Sequence, residues 1–264
     1  WVTENTLNHV VCFDPVVVLT YAAAVTSRIR LGASVVVLAV HSPLMVAHQW
    51  ATLDHLSNGR AILGVGLGRE HHYRQFEIPE QARVRRFREE VELIRALWTQ
   101  PKVDYRGRFY HLEGGTMSPR PVQQPLPIWM GVGHPDAVRR AGSLADGWMG
   151  SGGSSIAEFG RSVPLLREAL EKAGRDPTAF PISKRLFMAV DQKPEIARAE
   201  LHRWFTDVYH NPAGTDASGI HGTPAQVREK LEAVIALGAN HLLLNPVSRH
   251  AEQVEALAEV VGLS

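Results

Sequence analysis

The chain has 264 residues, of which 45% are apolar, with 28 lysines and arginines against 27 aspartates and glutamates. This length suits one α/β domain, because α/β barrels commonly run about 250 residues without splitting. The net charge of +1 gives no overall field that would attract nucleic acid or an anionic membrane, so we expect neither as a partner.

Cys12 is the only cysteine, which excludes an intramolecular disulfide and a thiolate metal cluster and fits a reducing cytosol. No apolar run reaches the roughly 18 residues that a membrane span needs, and no signal peptide is visible. We therefore expect a cytoplasmic protein. The chain opens on Trp1-Val-Thr, in a strand-like run without an initiator Met, so we also expect an N-terminal truncation.

Short β-branched runs alternate with stretches of helical spacing. Strands are predicted near residues 1 to 4, 29 to 37, 60 to 66, 127 to 132, 146 to 150, 182 to 190 and 241 to 245. This alternation predicts a parallel sheet, either doubly wound or closed as a barrel. The segment Gly64-Val-Gly66-Leu-Gly68-Arg69 lacks the last glycine of the dinucleotide-binding fingerprint, which disfavours a Rossmann domain.

Helices are predicted near residues 14 to 25 and 43 to 57, along Val84, Phe87, Val91, Ile94 and Trp98, and from Thr223 to Gly238. The first two are apolar around much of their circumference, which predicts a homodimer through this layer. Residues 102 to 123 and 206 to 222 interrupt the alternation and are predicted to be loops inserted in a single domain that spans residues 1 to 264.

The junction from Asp146 to Ser155 is the most informative one. A strand there runs into Gly150, Ser151, Gly152, Gly153, Ser154 and Ser155 at the start of a helix. Backbone N–H groups, hydroxyls and the positive end of a helix dipole together favour an anion, so these residues are predicted to hold a phosphate. A side chain at Gly153 would obstruct that approach.

A series of motifs resembles the bacterial luciferase-like flavin and deazaflavin oxidoreductases. They are residues 26–32 (TSRIRLG), 51–60 (ATLDHLSNGR), 63–66 (LGVG), 118–123 (SPRPVQ), 145–148 (ADGW), 222–227 (GTPAQV) and 238–244 (GANHLLL). The resemblance spans nearly the whole chain and implies a TIM (β/α)₈ barrel. It also implies that residues 1 to 4 are the second strand, so that the first strand and its helix are absent and about seven strands remain.

The resemblance implies cofactor contacts on the second and third strands. The family commonly has an acidic residue followed by His beside the flavin ring, where this chain has Glu4-Asn5. Asn5 can still hydrogen-bond a ring carbonyl, although a plain strand-end polar pair explains it as well. Ser34, Val35 and Val37 match the segment where deazaflavin members carry a non-prolyl cis peptide; the alternative is an ordinary buried strand.

The fourth strand separates the two cofactors. FMN-dependent members place an Arg between the residues that are Gly66 and Gly68 here, where it can bind the terminal phosphate. This chain has Leu67, which favours coenzyme F420 as cofactor, with FMN as the alternative because Arg69 could reach through a loop.

Histidines 71 and 72 follow this strand in what is predicted to be a loop. The spacing of Glu70-His71-His72 does not fit a helical metal site, so no metal is expected. His71 or His72 is expected near the cofactor ring. Substrate contacts are expected in loops 6 to 13, 71 to 80 and 206 to 222.

These features predict an oxidoreductase that transfers a hydride between F420 and a small organic substrate, with the chemistry supplied by the cofactor. One alternative is an FMN-dependent monooxygenase of the same fold, which would need a flavin reductase partner. A second is a cofactor-binding protein without turnover, because the second-strand His is missing. A third, a barrel isomerase or aldolase, would need a base at a strand end, for which Glu4 is the fair candidate.

Overall fold

A computed structural model describes residues 1–6 and 11–263. The chain folds into two compact units, one formed by Trp1–Gly131 with Leu144–Asp146 and the other by Val132–Ser143 with the chain from Gly147 onward. Within the described residues, no helix is long and apolar enough to cross a membrane. The predicted substrate loop 6 to 13 lies partly outside the described residues.

Among its described residues, the first unit contains four α-helices, the short 3₁₀ helix Leu38–Val40, four parallel strands and two further strands. In chain order they are α1 Pro15–Val25, β1 Leu31–Gly32, β2 Val36–Val37, α2 Pro43–Leu56, β3 Ala61–Gly66, α3 Glu70–Gln75, α4 Arg83–Thr99, β4 Val103–Arg106, β5 His111–Gly115 and β6 Ile128–Gly131. β3 is the central strand, since β1, β2 and β6 all pair with it in parallel. All six residues of β3 are buried, as expected for a parallel strand covered on both faces.

Two strand predictions in this unit need correction. Residues 1 to 4 form only an isolated bridge, between Val2 and Ala33, rather than a strand. The strand predicted over 29 to 37 is divided into β1 and β2, and the peptide between Ser34 and Val35 is cis, as the resemblance implied.

The helix predictions of the first unit are confirmed to within one residue at α1 and α2. The apolar stripe of α4 is confirmed at Phe87, Val91, Ile94 and Trp98, which are all at most 3% exposed, but not at Val84, which is 36% exposed. Arg60 joins α1 to the sheet, because its guanidinium donates to the carbonyl oxygens of Ala23, Thr26 and Ile29 at 2.8 to 3.0 Å. The carbonyls of Ala23 and Thr26 lie at the end of α1, where intrahelical partners run out, and that of Ile29 lies just before β1.

The prediction of a loop over 102 to 123 is wrong for residues 103–115, whereas residues 116–123 contain no helix or strand. β4 and β5 form an antiparallel hairpin there. Buried Glu89 of α4 fixes its tip, accepting hydrogen bonds from the backbone N–H groups of Arg108 and Phe109 at 2.9 and 2.8 Å. The anchoring carboxylate is far away in sequence, which is why local composition alone indicated a loop.

The second unit contains six helices and four parallel strands. In chain order they are α5 Pro135–Leu144, β7 Gly147–Gly150, α6 Ile156–Lys172, β8 Ile182–Val190, α7 Pro194–Asp207, α8 Gly214–Ala217, β9 Gly219–Gly222, α9 Pro224–Ala236, β10 His241–Pro246 and α10 His250–Val261. β7, β9 and β10 all pair with β8 in parallel. The predicted start of α9 at Thr223 is confirmed, and Thr223 and Gln226 form a capping box by exchanging hydrogen bonds.

The prediction of a loop over 206 to 222 is also wrong, because α8 and β9 lie within it. β9 is short and begins and ends with glycine, so it lacks the β-branched run that marks a strand. Gly219 is required by packing, since a Cβ there would lie 2.5 Å from a methyl carbon of Leu201. Its parallel partner is β8, about thirty residues earlier, and pairing of that kind leaves no local signal.

Candidate functional site

The Gly/Ser turn of the second unit, residues 151 to 154, follows β7 and leads into α6. Ser155 is the N-cap of α6, and its hydroxyl accepts from the Glu158 N–H at 3.1 Å. In return the Glu158 carboxylate accepts from the Ser155 N–H at 2.7 Å. The predicted sequence of strand, turn and helix is therefore present, with a capping box at its end.

Several donors of the turn are already used internally. The Gly153 N–H donates to the Ser151 hydroxyl at 3.2 Å and the Ser154 N–H to the Ser151 carbonyl at 3.2 Å. The Ser155 N–H is held by Glu158. Within residues 1–6 and 11–263, the Gly152 N–H has no acceptor, so it is a backbone donor of this turn that an anion could use.

The turn has more room for a side chain at Gly153 than we expected, and less at Gly152. A Cβ at Gly153 would lie 3.3 Å from a Tyr209 ring carbon, a tight but adjustable contact. A Cβ at Gly152 would lie 2.7 Å from a Phe187 ring carbon, and Phe187 is fully buried. Close approach of the backbone therefore depends on Gly152 more than on Gly153.

Lys184 of β8 lies beneath the Gly/Ser turn and was missed by the sequence reasoning. Its side chain is fully buried, and its ammonium donates to the carbonyl oxygens of Ser151 and Ser154 at 2.5 and 2.7 Å and to the Ser154 hydroxyl at 3.1 Å. Burial lowers the pKa of Lys184 to about 8, against a smaller raising effect of Glu158. A lysine in β8, whose residues 186–190 are all apolar, was the available signal, because lysine is rarely fully buried without a partner.

In the first unit, Val35 packs between two glycine-bearing strands. A Cβ at Gly66 would lie 2.5 Å from Val35 Cγ2, and a Cβ at Gly131 would lie 2.5 Å from Val35 Cγ1. Both glycines therefore leave space that the two methyl groups of Val35 fill. The side chain of Val35 therefore packs the Ser34-Val35 cis peptide against β3 and β6.

Glu4 forms a buried network with Val37 and His41. One carboxylate oxygen accepts from the Val37 N–H at 2.7 Å, and the other lies 2.6 Å from His41 Nε2. The Glu4 side chain is 5% exposed and that of His41 is 34% exposed. The hydrogen bond to Glu4 raises the pKa of His41, although burial opposes it.

This pair replaces the sequential acid–His pair that the resemblance led us to seek at Glu4-Asn5. Asn5 has no hydrogen bond to any residue within 1–6 and 11–263. The imidazole beside Glu4 comes instead from His41, which lies between β2 and α2. Sequence reasoning missed it because the two residues are far apart along the chain.

Leu67 and Gly68 lie directly after β3. The Leu67 carbonyl accepts from the Tyr73 hydroxyl at 2.6 Å, and its side chain is partly exposed. Gly68 has φ of +83°, and a Cβ there would lie 2.7 Å from Val37 Cγ1. Glycine is therefore required at Gly68 both by backbone conformation and by packing against Val37.

His71 and His72 lie on α3, so the loop predicted over 71 to 80 is wrong in its first half. His72 is buried, and its Nδ1 accepts from the Arg69 N–H at 3.0 Å. Burial lowers the pKa of His72, and its Nε2 has no partner among the described residues. The His71 ring is stacked at a tilt, 3.9 Å from that of His72.

Among the described residues, no group of three or more His, Cys, Asp or Glu side chains could hold a metal ion. The features described above are of other kinds. They are a buried lysine beneath a glycine-rich turn, a carboxylate–imidazole pair and a surface of small residues around Val35.

Comparison with known proteins agrees with these observations. The F420-dependent glucose-6-phosphate dehydrogenase of Kineococcus radiotolerans is 34% identical over 191 residues, which cover 70% of this chain and 56% of that protein. The enzyme of the same name from Nocardia farcinica is 31% identical over 258 residues, which cover 86% of this chain and 76% of that protein. The chain thus spans little more than half the length of the Kineococcus relative.

The fold is also shared with a solved structure, monooxygenase RslO1 from Streptomyces bottropensis. The TM-score is 0.82 at 26% identity, and the match covers 92% of this chain and 80% of that one. Residues 1–259 match the family model described as luciferase-like monooxygenase. The chain therefore belongs to the luciferase-like monooxygenase family.

Proposed function

We propose that this protein is a coenzyme F420-dependent oxidoreductase that transfers a hydride to or from a small organic substrate. The observation that carries the proposal is Leu67, which stands where FMN-dependent members have an arginine for the phosphate. Leucine offers no hydrogen-bond donor to a phosphate. The F420-dependent names of the two dehydrogenase relatives support the same choice.

The residues around Val35 fit a flat ring system. Gly66 and Gly131 carry no side chain, and the two Val35 methyl groups fill the space above them. The resulting surface is apolar and its side chains are short, as an aromatic ring requires for close contact. Ser34, Val35, Gly66 and Leu67 would hold the ring of the cofactor.

The Gly/Ser turn fits a phosphate. Gly152 leaves its backbone N–H without an acceptor among the described residues, and a Cβ there would collide with Phe187. Positive charge comes from Lys184 beneath the turn and from the amino end of the α6 dipole. Gly150 to Ser154 would hold the phosphate, with Ser155 serving as the helix cap.

The Glu4–His41 pair is suited to holding a proton. Glu4 accepts from His41 Nε2, which leaves Nδ1 as the titrating atom of the ring. F420, when bound, supplies or accepts the hydride, and oxidation of an alcohol also releases a proton from its oxygen. We propose that His41 takes up that proton while Glu4 fixes the orientation of the imidazole.

A fluorescence titration with F420 and with FMN tests the proposal. We expect F420 to bind at least about tenfold more tightly, a difference of about 1.4 kcal/mol. The Leu67→Arg variant is the matched test, because a restored guanidinium should improve FMN binding and leave F420 binding nearly unchanged. Equal affinities in the parent protein, or FMN bound more tightly, would overturn the assignment.

A second candidate is an FMN-dependent monooxygenase, favoured by the shared fold with monooxygenase RslO1. It would need reduced FMN from a flavin reductase partner. Oxygen consumption that depends on reduced FMN and is absent with reduced F420 would support this candidate instead.

A further inference from the structure

Lys184 is the most deeply buried cation among the described residues, and beyond its charge beneath the turn it has been given no role. Its side chain has no exposed surface, and burying a lysine charge is costly unless hydrogen bonds compensate. All three acceptors of its ammonium belong to the turn, two of them carbonyl oxygens and one a hydroxyl. The lysine therefore acts on the conformation of this turn.

The direction of these carbonyls fixes the direction of the adjoining N–H groups. In a trans peptide the C=O and the following N–H point in opposite directions. Because the Ser151 carbonyl points at Lys184, the Gly152 N–H points away from it. The Ser154 carbonyl likewise directs the Ser155 N–H away, and Glu158 accepts that one. The Gly152 N–H is left pointing away from Lys184, within a buried residue, and has no acceptor among the described residues.

We propose that Lys184 is the positioning residue of the cofactor's phosphate: it holds the Ser151 carbonyl inward so that the Gly152 N–H is presented to the anion. This inference rests on the proposed function. Lys184 also supplies a positive charge behind the turn, which offsets the Glu158 carboxylate at the same helix end. The phosphate then gains both a directed donor and a favourable field.

The test compares F420 with its deazaflavin chromophore lacking the phosphate. In the Lys184→Met variant we expect F420 affinity to fall about tenfold or more, the effect of losing a charge and its directed hydrogen bond. Affinity for the phosphate-free chromophore should stay within about twofold. Unchanged F420 affinity in a folded variant, or an equal loss for both ligands, would overturn the proposal. If the parent protein binds neither ligand, the proposed function itself fails.

A pH titration of the parent protein tests the same idea without a substitution. The pKa of Lys184 is lowered to about 8 by burial, so its charge is present below that pH and lost above it. The ratio of F420 affinity to chromophore affinity should therefore fall between about pH 7 and 9. A ratio that stays flat over this range would contradict the proposal.

Few other groups face Lys184 that could produce this titration. From α6 the charged neighbour is Glu158, whose pKa is lowered by its bonds to Ser155, so it stays ionised. The four residues of β7 carry no titratable side chain. On β10, His241 bonds to Ser183 and its pKa is lowered by burial, so it is neutral throughout. Lys184→Arg, which remains charged, is the matched control and should remove the pH dependence.

Discussion

Replacing Gly66 with alanine should destabilise the first unit through a collision with Val35. An added Cβ would lie 2.5 Å from Val35 Cγ2, about 1 Å short of an ordinary carbon–carbon contact. Overpacking of this kind costs about 1 to 3 kcal/mol. Alanine also stiffens the unfolded chain, which returns about 0.4 to 1 kcal/mol. We therefore expect a net loss of about 1 to 2 kcal/mol in the free energy of unfolding.

A double-mutant cycle with Val35→Ala isolates the contact. Val35→Ala removes both methyl groups, so the double variant should be about 1 to 2 kcal/mol more stable than the sum of the two single effects. Denaturant unfolding measures all four proteins. Gly133→Ala is the control, because a Cβ there would meet nothing within 4 Å. Additive effects, or a Gly66→Ala protein as stable as its parent, would refute the packing argument.

Three further predictions concern stability, titration and assembly. Arg60→Lys should lower the free energy of unfolding by about 2 to 4 kcal/mol, since one ammonium cannot reach all the carbonyls that the guanidinium binds. A loss below about 0.5 kcal/mol would contradict this. Nuclear magnetic resonance should find the pKa of His41 raised by Glu4. The stabilisation that the Glu4–His41 pair contributes is then present below about pH 6.5 and is lost as pH rises through the folded pKa. An unchanged His41 titration in the Glu4→Gln variant would refute this. Light scattering should give the mass of a dimer, because Tyr21 and Val25 of α1 form an apolar face and are 72% and 62% exposed. The Tyr21→Glu variant should give half that mass. A monomeric parent protein would count against the predicted dimer.

Elements with a strong local pattern were predictable from the sequence. The stripe of α4 and the capping box of α9 consist of residues three or four positions apart, and the helical period makes them neighbours. β3 and β8 were predicted because long β-branched and apolar runs mark buried parallel strands. In each case the chain carries the signal within one element.

Features that depend on distant partners were not predictable. β9 is a strand because β8 pairs with it, and its own residues, Gly-Ile-His-Gly, resemble a turn. His41 completes the Glu4 network, and Lys184 completes the Gly/Ser turn, across more than thirty residues. The sequence indicated the position of the turn through the strand–helix junction, and that of the Ser34-Val35 cis peptide through the family resemblance. It gave no information on the side chains that hold them.

The cofactor that the protein retains in a cell tests the central claim most directly. The protein should be produced in a host that makes both FMN and F420, purified without added cofactor, and the released small molecule identified by mass spectrometry. We expect the retained molecule to be F420, because Leu67 follows β3 and Lys184 lies beneath the Gly/Ser turn. FMN as the retained molecule would contradict it.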